Sequence, residues 1–231
     1  MNVRHPDERC TDEMAPHEYE VITSRRIFAG RIAAMRSDQV AMPGGISSQR
    51  DVVELPGAVG IVALDENDRV LLVQQYRHPV RRRLWEIPAG LLDSPRESAA
   101  KAAERELFEE GHVRAAEWFT LVDTLTSPGM SDETVRIFLA RDLVEVPTSE
   151  RHVGIHEEAE MELDWIPLDN AVERCFSGQL ENGITVAGLL AAQLALARGL
   201  AGLRTPAAPW RARKGAAQAA VLHETRPAGG A

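Results

Sequence analysis

Glutamates are concentrated in one short stretch of the sequence. Five of them fall within the fourteen residues from Glu97 to Glu110, and only two cations accompany them. On a helix Glu106 and Glu110 lie one turn apart on the same face, and Glu109 is the i+3 neighbour of Glu106. Like charges at this spacing destabilise a helix by roughly 0.2–0.5 kcal/mol per pair. A divalent cation bound between the carboxylates would offset that repulsion.

The chemistry of such a cluster depends on what else lies beside it. Carboxylates joined by a backbone carbonyl are hard oxygen ligands that suit Mg²⁺ or Mn²⁺, which bridge phosphate oxygens and activate water. The plain alternative is a solvated, glutamate-rich amphipathic helix. Either interpretation predicts a helix from about Pro95 to Glu110. Its opposite face is small and apolar and allows close packing on a sheet, through Ala99, Ala100, Ala103 and Leu107.

The residues that flank the glutamates form an ordered pattern. Gly90 is followed by six residues and then by Glu97, and seven further residues lead to the sequence Arg-Glu-Leu-Phe-Glu-Glu at 105–110. This resembles the Nudix box, Gly-x5-Glu-x7-Arg-Glu-U-x-Glu-Glu-x-Gly-U, where U is a bulky aliphatic residue. The first gap is one residue longer, which leaves Glu97 in phase with Arg105. His112 replaces the last glycine, and we expect Gly111, one position earlier, to supply a left-handed helix cap.

The resemblance implies a role for each matching residue. Glu106 and Glu110 would be metal ligands, with Glu109 close by and the carbonyl of Ala89 completing the inner shell. Arg105 would orient the glutamates through salt bridges, and its i+4 neighbour is Glu109. The implied cofactor is Mg²⁺, with Mn²⁺ as a possible substitute.

The residues before and after the box narrow the resemblance. The run 75–90 is similar to the region before the box in ADP-ribose pyrophosphatases, and 127–133 resembles their following loop, with Pro128 fifteen residues after Val113. Arg77 and Arg81 are fixed cations that could pair bidentately with phosphates. Arg82 and Arg83 could equally lie in a solvated loop.

Two further side chains are candidates for the nucleoside part of the ligand. By resemblance, Glu86 would accept hydrogen bonds from it. Trp85 could stack on a base, but a tryptophan before Glu-Ile-Pro could equally pack in the core.

The general base is expected on a separate loop. In this subfamily a glutamate from a mobile loop activates the attacking water, and residues 156–160 lie in the matching place. We favour Glu158 over Glu157, and Glu160 fits an ordinary acidic surface.

The composition of the chain limits the kinds of partner and the cellular compartment that we expect. A net charge of −9 argues against a general nucleic-acid binder. Cys10 and Cys175 form neither a CxxC motif nor a disulfide framework, and the first 20 residues contain no secretory signal, so we expect a cytoplasmic protein. The apolar segment 184–200 is too short for a membrane span and predicts a buried core helix.

The whole chain predicts an α+β protein with the Nudix fold, in which a mixed, mostly antiparallel sheet is sandwiched between helices. We divide it into a flexible N-terminus (1–17), N-terminal strands (18–56), a Nudix hydrolase domain (57–203) and a disordered basic Ala/Pro-rich tail (204–231). The strands at 58–64 and 69–76 should form a hairpin across the turn residues 65–68. By resemblance, the N-terminal strands form an antiparallel sheet used in homodimerisation.

The resulting hypothesis is metal-assisted hydrolysis of the diphosphate of ADP-ribose to AMP and ribose 5-phosphate. A Nudix pyrophosphatase for other nucleoside diphosphate sugars is the nearest alternative. A catalytically silent Nudix domain that senses a ligand is a second, and a bare structural helix in an unrelated α+β protein is a third.

Overall fold

The computed structural model of the 231-residue chain describes residues 19–92, 94, 97–152 and 161–212. Its strands are β1 (Val21–Ala29), β2 (Ala34–Met42), β3 (Ile46–Glu54), β4 (Ala58–Ala63), β5 (Arg69–Arg77), β6 (Arg82–Glu86), β7 (Ala89–Leu91), β8 (Val113–Leu125), β9 (Thr134–Glu145) and β10 (Glu162–Pro167). Its helices are α1 (Ala99–Gly111), α2 (Leu168–Phe176) and α3 (Gly183–Ala197).

The strands form three sheets, with the orders β1-β2-β3, β10-β5-β6 and β7-β4-β9-β8. The pair β4 and β9 is parallel, and the other ladders between these strands are antiparallel. The α+β prediction of a mixed, mostly antiparallel arrangement is therefore confirmed.

Strand β4 lies at the centre of the core, and all six of its residues are buried. Its side chains alternate in direction, as those of a strand must. Val59, Ile61 and Ala63 join the apolar face of α1, whereas Ala58 and Val62 join a cluster that contains residues of α2 and α3. The sheet is thus sandwiched between α1 on one side and the two later helices on the other.

Helix α1 begins later than the sequence predicted. Ser98 is its N-cap, and the Ser98 hydroxyl accepts a hydrogen bond from the Lys101 amide at 3.2 Å. Serine at this position satisfies one of the free amides of the first turn. The expected start near Pro95 was therefore wrong, because the cap and not the proline sets the helix boundary.

Helix α3 agrees with the sequence-based prediction of a buried core helix at 184–200. Asn182 caps α3 by accepting from the Thr185 amide at 3.0 Å, and Leu189 and Ala192 are fully buried. No helix in the described part of the chain is long and apolar enough to cross a membrane.

The predicted hairpin of β4 and β5 forms only at its turn. The Asp65 carboxylate accepts from the amides of Asn67 and Arg69 at 2.9 and 2.8 Å, and a single bridge joins Leu64 to Val70. Beyond that bridge the strands separate into different sheets, where β4 pairs with β7 and β9 and β5 pairs with β6 and β10. The local turn was predictable, but the partners that compete for each strand are distant in sequence.

The C-terminal stretch 204–212 lies on the sheet, against the prediction that disorder begins at residue 204. The carbonyls of Arg204 and Thr205 accept from the amide and hydroxyl of Thr120, at 2.9 and 2.8 Å. The Arg136 guanidinium donates to the carbonyls of Ala208 and Pro209 at 2.6 and 3.0 Å. Composition alone missed this, because the partners are on β8 and β9. Residues 213–231 lie outside the described part.

Candidate active site

A tightly fixed segment, residues 86–91, carries one side of the site. The Ile87 amide donates to the Thr185 hydroxyl at 3.0 Å, and the Pro88 carbonyl accepts from the Ile61 amide at 2.8 Å. Ala89 then pairs with Gly60 in the short ladder between β7 and β4. Thr185 has no exposed surface, so it acts as a buried anchor from α3 that sequence reasoning had missed.

Glu106 of α1 packs directly on Gly90. A Cβ atom at residue 90 would lie 1.9 Å from Glu106 Oε1 and 2.0 Å from its Cδ, so only glycine leaves room for this carboxylate. Glu106 is 9% exposed, which is unusual for a glutamate and calls for partners. Gly90, the first glycine of the box, therefore leaves the space that the Glu106 carboxylate occupies.

Glu110, one turn further along α1, meets the adjacent residue. Its Oε2 accepts from the Ala89 amide at 2.9 Å. Glu106 and Glu110 thus contact neighbouring residues of a single backbone segment. This arrangement brings together the predicted carboxylates and Ala89.

Arg105 joins the remaining acidic positions of the box. It donates to both oxygens of Glu97 at 3.2 Å, to Glu106 at 2.7 Å and to Glu109 at 3.0 Å. The hydrogen bonds with Glu97, with the charge of Glu106 and the bond to Glu109, raise the pKa of Arg105. Arg105 is a permanent cation that holds the carboxylates in place. Glu97 thus contacts Arg105 although it precedes the helix.

Arg77, at the end of β5, faces Glu86 of β6. Its Nε lies 3.0 and 3.1 Å from the two carboxylate oxygens of Glu86, and its Nη2 lies 2.6 Å from Oε2. Burial acts to lower the pKa of Arg77, but the bonds to Glu86 and the charge of Glu110 outweigh it, and the pKa is raised. Glu86 is 1% exposed, so in this state both of its oxygens serve Arg77.

The cluster of arginines after β5 is less uniform. Arg81 takes a left-handed conformation, with φ of 53°, and ends the short 3-10 turn His78–Val80. Arg82 forms an ion pair with Glu181 and remains largely exposed. Arg81 and Arg83 are also exposed.

Trp85 lies on the opposite side of the strand from Glu86. It is half-buried and packs against the core cluster of α2 and α3. This placement corresponds to the core-packing alternative. Because side chains alternate along β6, the two neighbouring candidates for the nucleoside lie on opposite faces of the sheet.

The end of α1 differs from the sequence-based expectation. His112 takes the left-handed conformation, with φ of 54°, and Gly111 is the last helical residue. A Cβ atom at residue 111 would lie 2.7 Å from Leu71 Cδ2, so this glycine serves close packing on β5. The prediction of a shifted, glycine-capped terminus was wrong, because the packing of Gly111 on β5 takes precedence over the cost of a left-handed histidine.

The acidic loop residues Glu157, Glu158 and Glu160 lie outside the described residues, within the gap 153–160.

The glutamine that precedes Tyr76 was missed by sequence reasoning altogether. Gln75 is 9% exposed, and its Nε2 has no hydrogen-bond partner in the described part of the chain. No sequence signal distinguishes it from the adjacent Gln74.

The donor set fits a hard divalent cation. Glu106 occupies a space that a Cβ atom would fill, and Glu110 is fixed on the next residue, so two carboxylates converge on Ala89 and Gly90. Within the described residues no group of three His, Cys, Asp or Glu side chains is already assembled around an ion position. A complete shell would therefore need the backbone carbonyl, water or phosphate oxygens as further ligands.

Comparison with known proteins agrees with the geometry. The model of the NUDIX domain matches residues 54–183. An ADP-ribose pyrophosphatase of Mycobacterium tuberculosis is 49% identical over 178 residues, which cover 77% of this chain and 84% of that protein. A methanol dehydrogenase activator of Bacillus methanolicus is 32% identical over 77% of this chain and 94% of its own length.

A solved structure shares the fold. The crystal structure of an ADP compounds hydrolase superposes with a TM-score of 0.69 at 20% identity, covering 80% of this chain and 97% of that one. With the domain match across more than half of the sequence and the carboxylate helix placed against residues 86–91, this chain belongs to the Nudix family.

Proposed function

We propose that this protein is a Mg²⁺-dependent pyrophosphatase that hydrolyses ADP-ribose to AMP and ribose 5-phosphate. The observation that carries the proposal is the meeting of Glu106 and Glu110 with the adjacent residues Gly90 and Ala89. The negative charge of Glu110 helps to raise the pKa of Arg77. A phosphate entering here would find both a cation-binding set of oxygens and a fixed guanidinium.

The metal site would be built from Glu106, Glu110 and the carbonyl of Ala89, with Glu109 nearby. Mg²⁺ suits these oxygen donors and, when bound, supplies positive charge to phosphate oxygens and activates water. Arg105 holds Glu106 and Glu109 in position through bonds of 2.7 and 3.0 Å. Mn²⁺ shares the ligand preference and would be a substitute.

The substrate contacts would come from the end of β5 and from β6. Arg77 and Arg81 would pair with the diphosphate, since a guanidinium binds phosphate bidentately. Glu86 would accept hydrogen bonds from the nucleoside once Arg77 turns to the phosphates, whereas Trp85, on the opposite face of β6, would keep its core packing. The general base would be Glu158, in preference to Glu157, brought in by the 156–160 loop.

ADP-ribose is proposed as the substrate because of the Mycobacterium tuberculosis relative, which carries that activity in its name. Other nucleoside diphosphate sugars are the second candidate, since sugar selectivity depends on pocket shape. A cytoplasmic location is part of the same proposal.

The N-terminal sheet suits a homodimer. Apolar side chains are exposed on and around it, with Ile22 at 52%, Phe28 at 59% and Ile46 at 66% exposed. Exposed apolar residues grouped in this way mark interaction surfaces. We propose that a second copy of this chain covers them.

A substrate panel with Mg²⁺ tests the activity, comparing ADP-ribose, ADP-glucose, NADH, diadenosine polyphosphates and 8-oxo-dGTP. ADP-ribose should have the highest kcat/KM. Preference for a triphosphate would overturn the substrate assignment.

The metal assignment is tested by Glu110→Gln. We expect turnover to fall by orders of magnitude with the fold retained, because an amide is a poor ligand for Mg²⁺. The matched control is Glu104→Gln on the same helix, which loses only the exposed pair with Lys101 at 2.5 Å. Near-normal turnover of Glu110→Gln would refute the assignment of Glu110 as a metal ligand.

A further inference from the structure

Gln75 shares one face of the sheet with the residues proposed to bind phosphate. In the antiparallel ladder of β5 and β6, Gln75 pairs with Leu84, Arg77 with Arg82 and Val73 with Glu86. Residues directly opposite each other in such a ladder project to the same side, and positions two apart on one strand do as well. Gln75 therefore projects to the side occupied by Arg77 and Glu86.

That side of the sheet faces α1. Leu71, on the same face of β5, packs in the core cluster of α1 and lies in the path of a Cβ atom at Gly111. At the other end of the strand, Arg77 is influenced by the charge of Glu110. Gln75 lies between these two positions and thus opposite the last turn of the carboxylate helix.

The side chain of Gln75 has an unmet donor there. The residue is 91% buried, and its Nε2 has no hydrogen-bond partner among the described residues. Buried amides are nearly always hydrogen-bonded, since an unpaired donor loses its hydration without compensation. An apolar side chain of the same length would avoid this cost in the ligand-free protein.

The two carboxylates on this side of the sheet already accept hydrogen bonds from other donors. Both oxygens of Glu86 receive hydrogen bonds from Arg77, and Glu110 Oε2 receives the Ala89 amide. Among the described residues no acceptor serves Gln75, and a ligand bound beside Arg77 would supply one. Gln75 lies between the Arg77 guanidinium and the carboxylate helix that suits a divalent cation. A ligand group that binds between two positive charges is an oxyanion.

We propose that Gln75 binds the substrate, with its Nε2 donating a hydrogen bond to a non-bridging phosphate oxygen of the nucleoside diphosphate. The proposal rests on the proposed function and adds a neutral donor beside the charged Arg77. A bond from a neutral donor to an oxyanion is stronger than a bond between neutral groups. Gln75 would fix the orientation of the diphosphate, whereas Arg77 would supply most of the positive charge.

The decisive variant is Gln75→Met, which keeps the length of the side chain and removes the amide. We expect kcat/KM for ADP-ribose to fall by about tenfold or more, the loss expected for one hydrogen bond to a charged group. The Tm of the ligand-free variant should equal or exceed that of the wild type, because an unpaired buried donor is gone. A purely structural residue would show the opposite pattern.

Two comparisons sharpen the test. Gln75→Glu places a carboxylate where the phosphate oxygen binds, so its KM should rise more than that of Gln75→Met. Gln74→Met is the matched control, since Gln74 pairs with Trp85 and projects to the other face; its kinetics should equal those of the wild type. The side-chain amide signals of Gln75 in the wild type should also shift when ADP-ribose is added without metal.

The outcomes separate the two proposals. An active wild type with an equally active Gln75→Met, or unshifted amide signals of Gln75 in the presence of bound ADP-ribose, overturns the role of Gln75 alone. A wild type that hydrolyses no nucleoside diphosphate compound of the panel overturns the proposed function, and the role of Gln75 falls with it. If Gln75→Met does not fold, the amide signals of the wild type decide.

Discussion

At the residue scale, the site depends on contacts that tolerate no extra atom. Glu106 lies where a side chain at residue 90 would be, and Arg105 is bonded to three carboxylates at once. A glycine and an arginine thereby fix the direction of a nearly buried glutamate. The glutamate can then present an oxygen to an ion without the conformational freedom that a solvated side chain has.

Replacement of Gly90 by alanine tests this steric relation. Because the new methyl group would lie 1.9 Å from Glu106 Oε1, the carboxylate must move away, and we expect a loss of at least about tenfold in Mg²⁺-dependent kcat. Kinetics at several Mg²⁺ concentrations provide the measurement. The control is Gly183→Ala, where the added methyl group meets no atom within 4 Å. Unchanged kcat in Gly90→Ala would contradict the geometry.

At the scale of elements, the strands position the site through distant partners. Segment 86–91 is held by β4 on one side and by Thr185 of α3 on another. The stretch 204–212 is bound to β8 and β9 in a similar way, through Arg136 and its cross-strand neighbour Asp123. Arg136 is 2% exposed, stacks on Trp210 at 5.0 Å and donates to Asp123 at 2.7 Å.

The ion pair at Asp123 predicts a pH-dependent stability. Burial acts to raise the pKa of Asp123, but the bonds from Arg136 and Arg204 outweigh it, and the folded pKa lies below the ordinary 3.8. A carboxyl with a lowered folded pKa stabilises the fold above its unfolded pKa, and this contribution is lost as the pH falls through the folded value.

Asp123→Asn should therefore lower the Tm at pH 7, by about 2–4 °C for each kcal/mol lost in a chain of this size. The difference from the wild type should begin to shrink below about pH 4, the ordinary pKa of an aspartate in the unfolded chain, and should be lost as the pH passes the lowered folded pKa of Asp123. Thermal denaturation at pH 7 and pH 3 measures both values. Glu145→Gln, an exposed position on β9, is the control. A difference that persists undiminished at pH 3 would refute the ion-pair explanation.

At the scale of the whole molecule, the N-terminal sheet stands apart from the other two sheets and is joined to them through the loop 127–133. The Val53 amide donates to the Met130 carbonyl at 2.8 Å, and the Leu55 amide donates to Asp132 at 3.0 Å.

The dimer proposal is tested by a charge on the apolar surface of β1. Phe28→Glu places a carboxylate at a side chain that is 59% exposed, and an interface that desolvated it would be strongly disfavoured. Light scattering at micromolar concentration should give the dimer mass for the wild type and the monomer mass for the variant. Val144→Glu, at a residue 65% exposed on β9, should remain dimeric. A monomeric wild type would exclude the proposal.

Much of the site was determined by the sequence alone, because its grouping is local. The spacing of Glu106, Glu109 and Glu110 follows from the helical period, and the contact between Glu97 and Arg105 survives the longer first gap. The turn at residues 65–68, the core helix at 184–200 and the mixed sheet also follow from patterns within short windows.

The tertiary structure decided everything that depends on partners distant in sequence. It divided β4 and β5 between two sheets, placed Trp85 and Glu86 on opposite faces, and paired Glu86 with Arg77. It also gave the left-handed conformation to His112, since Gly111 is needed against Leu71. Hydrogen bonds and steric contacts between remote segments are weakly encoded in any single window. For that reason Gln75, one of two adjacent glutamines in the sequence, becomes distinct only once the sheet and α1 enclose it.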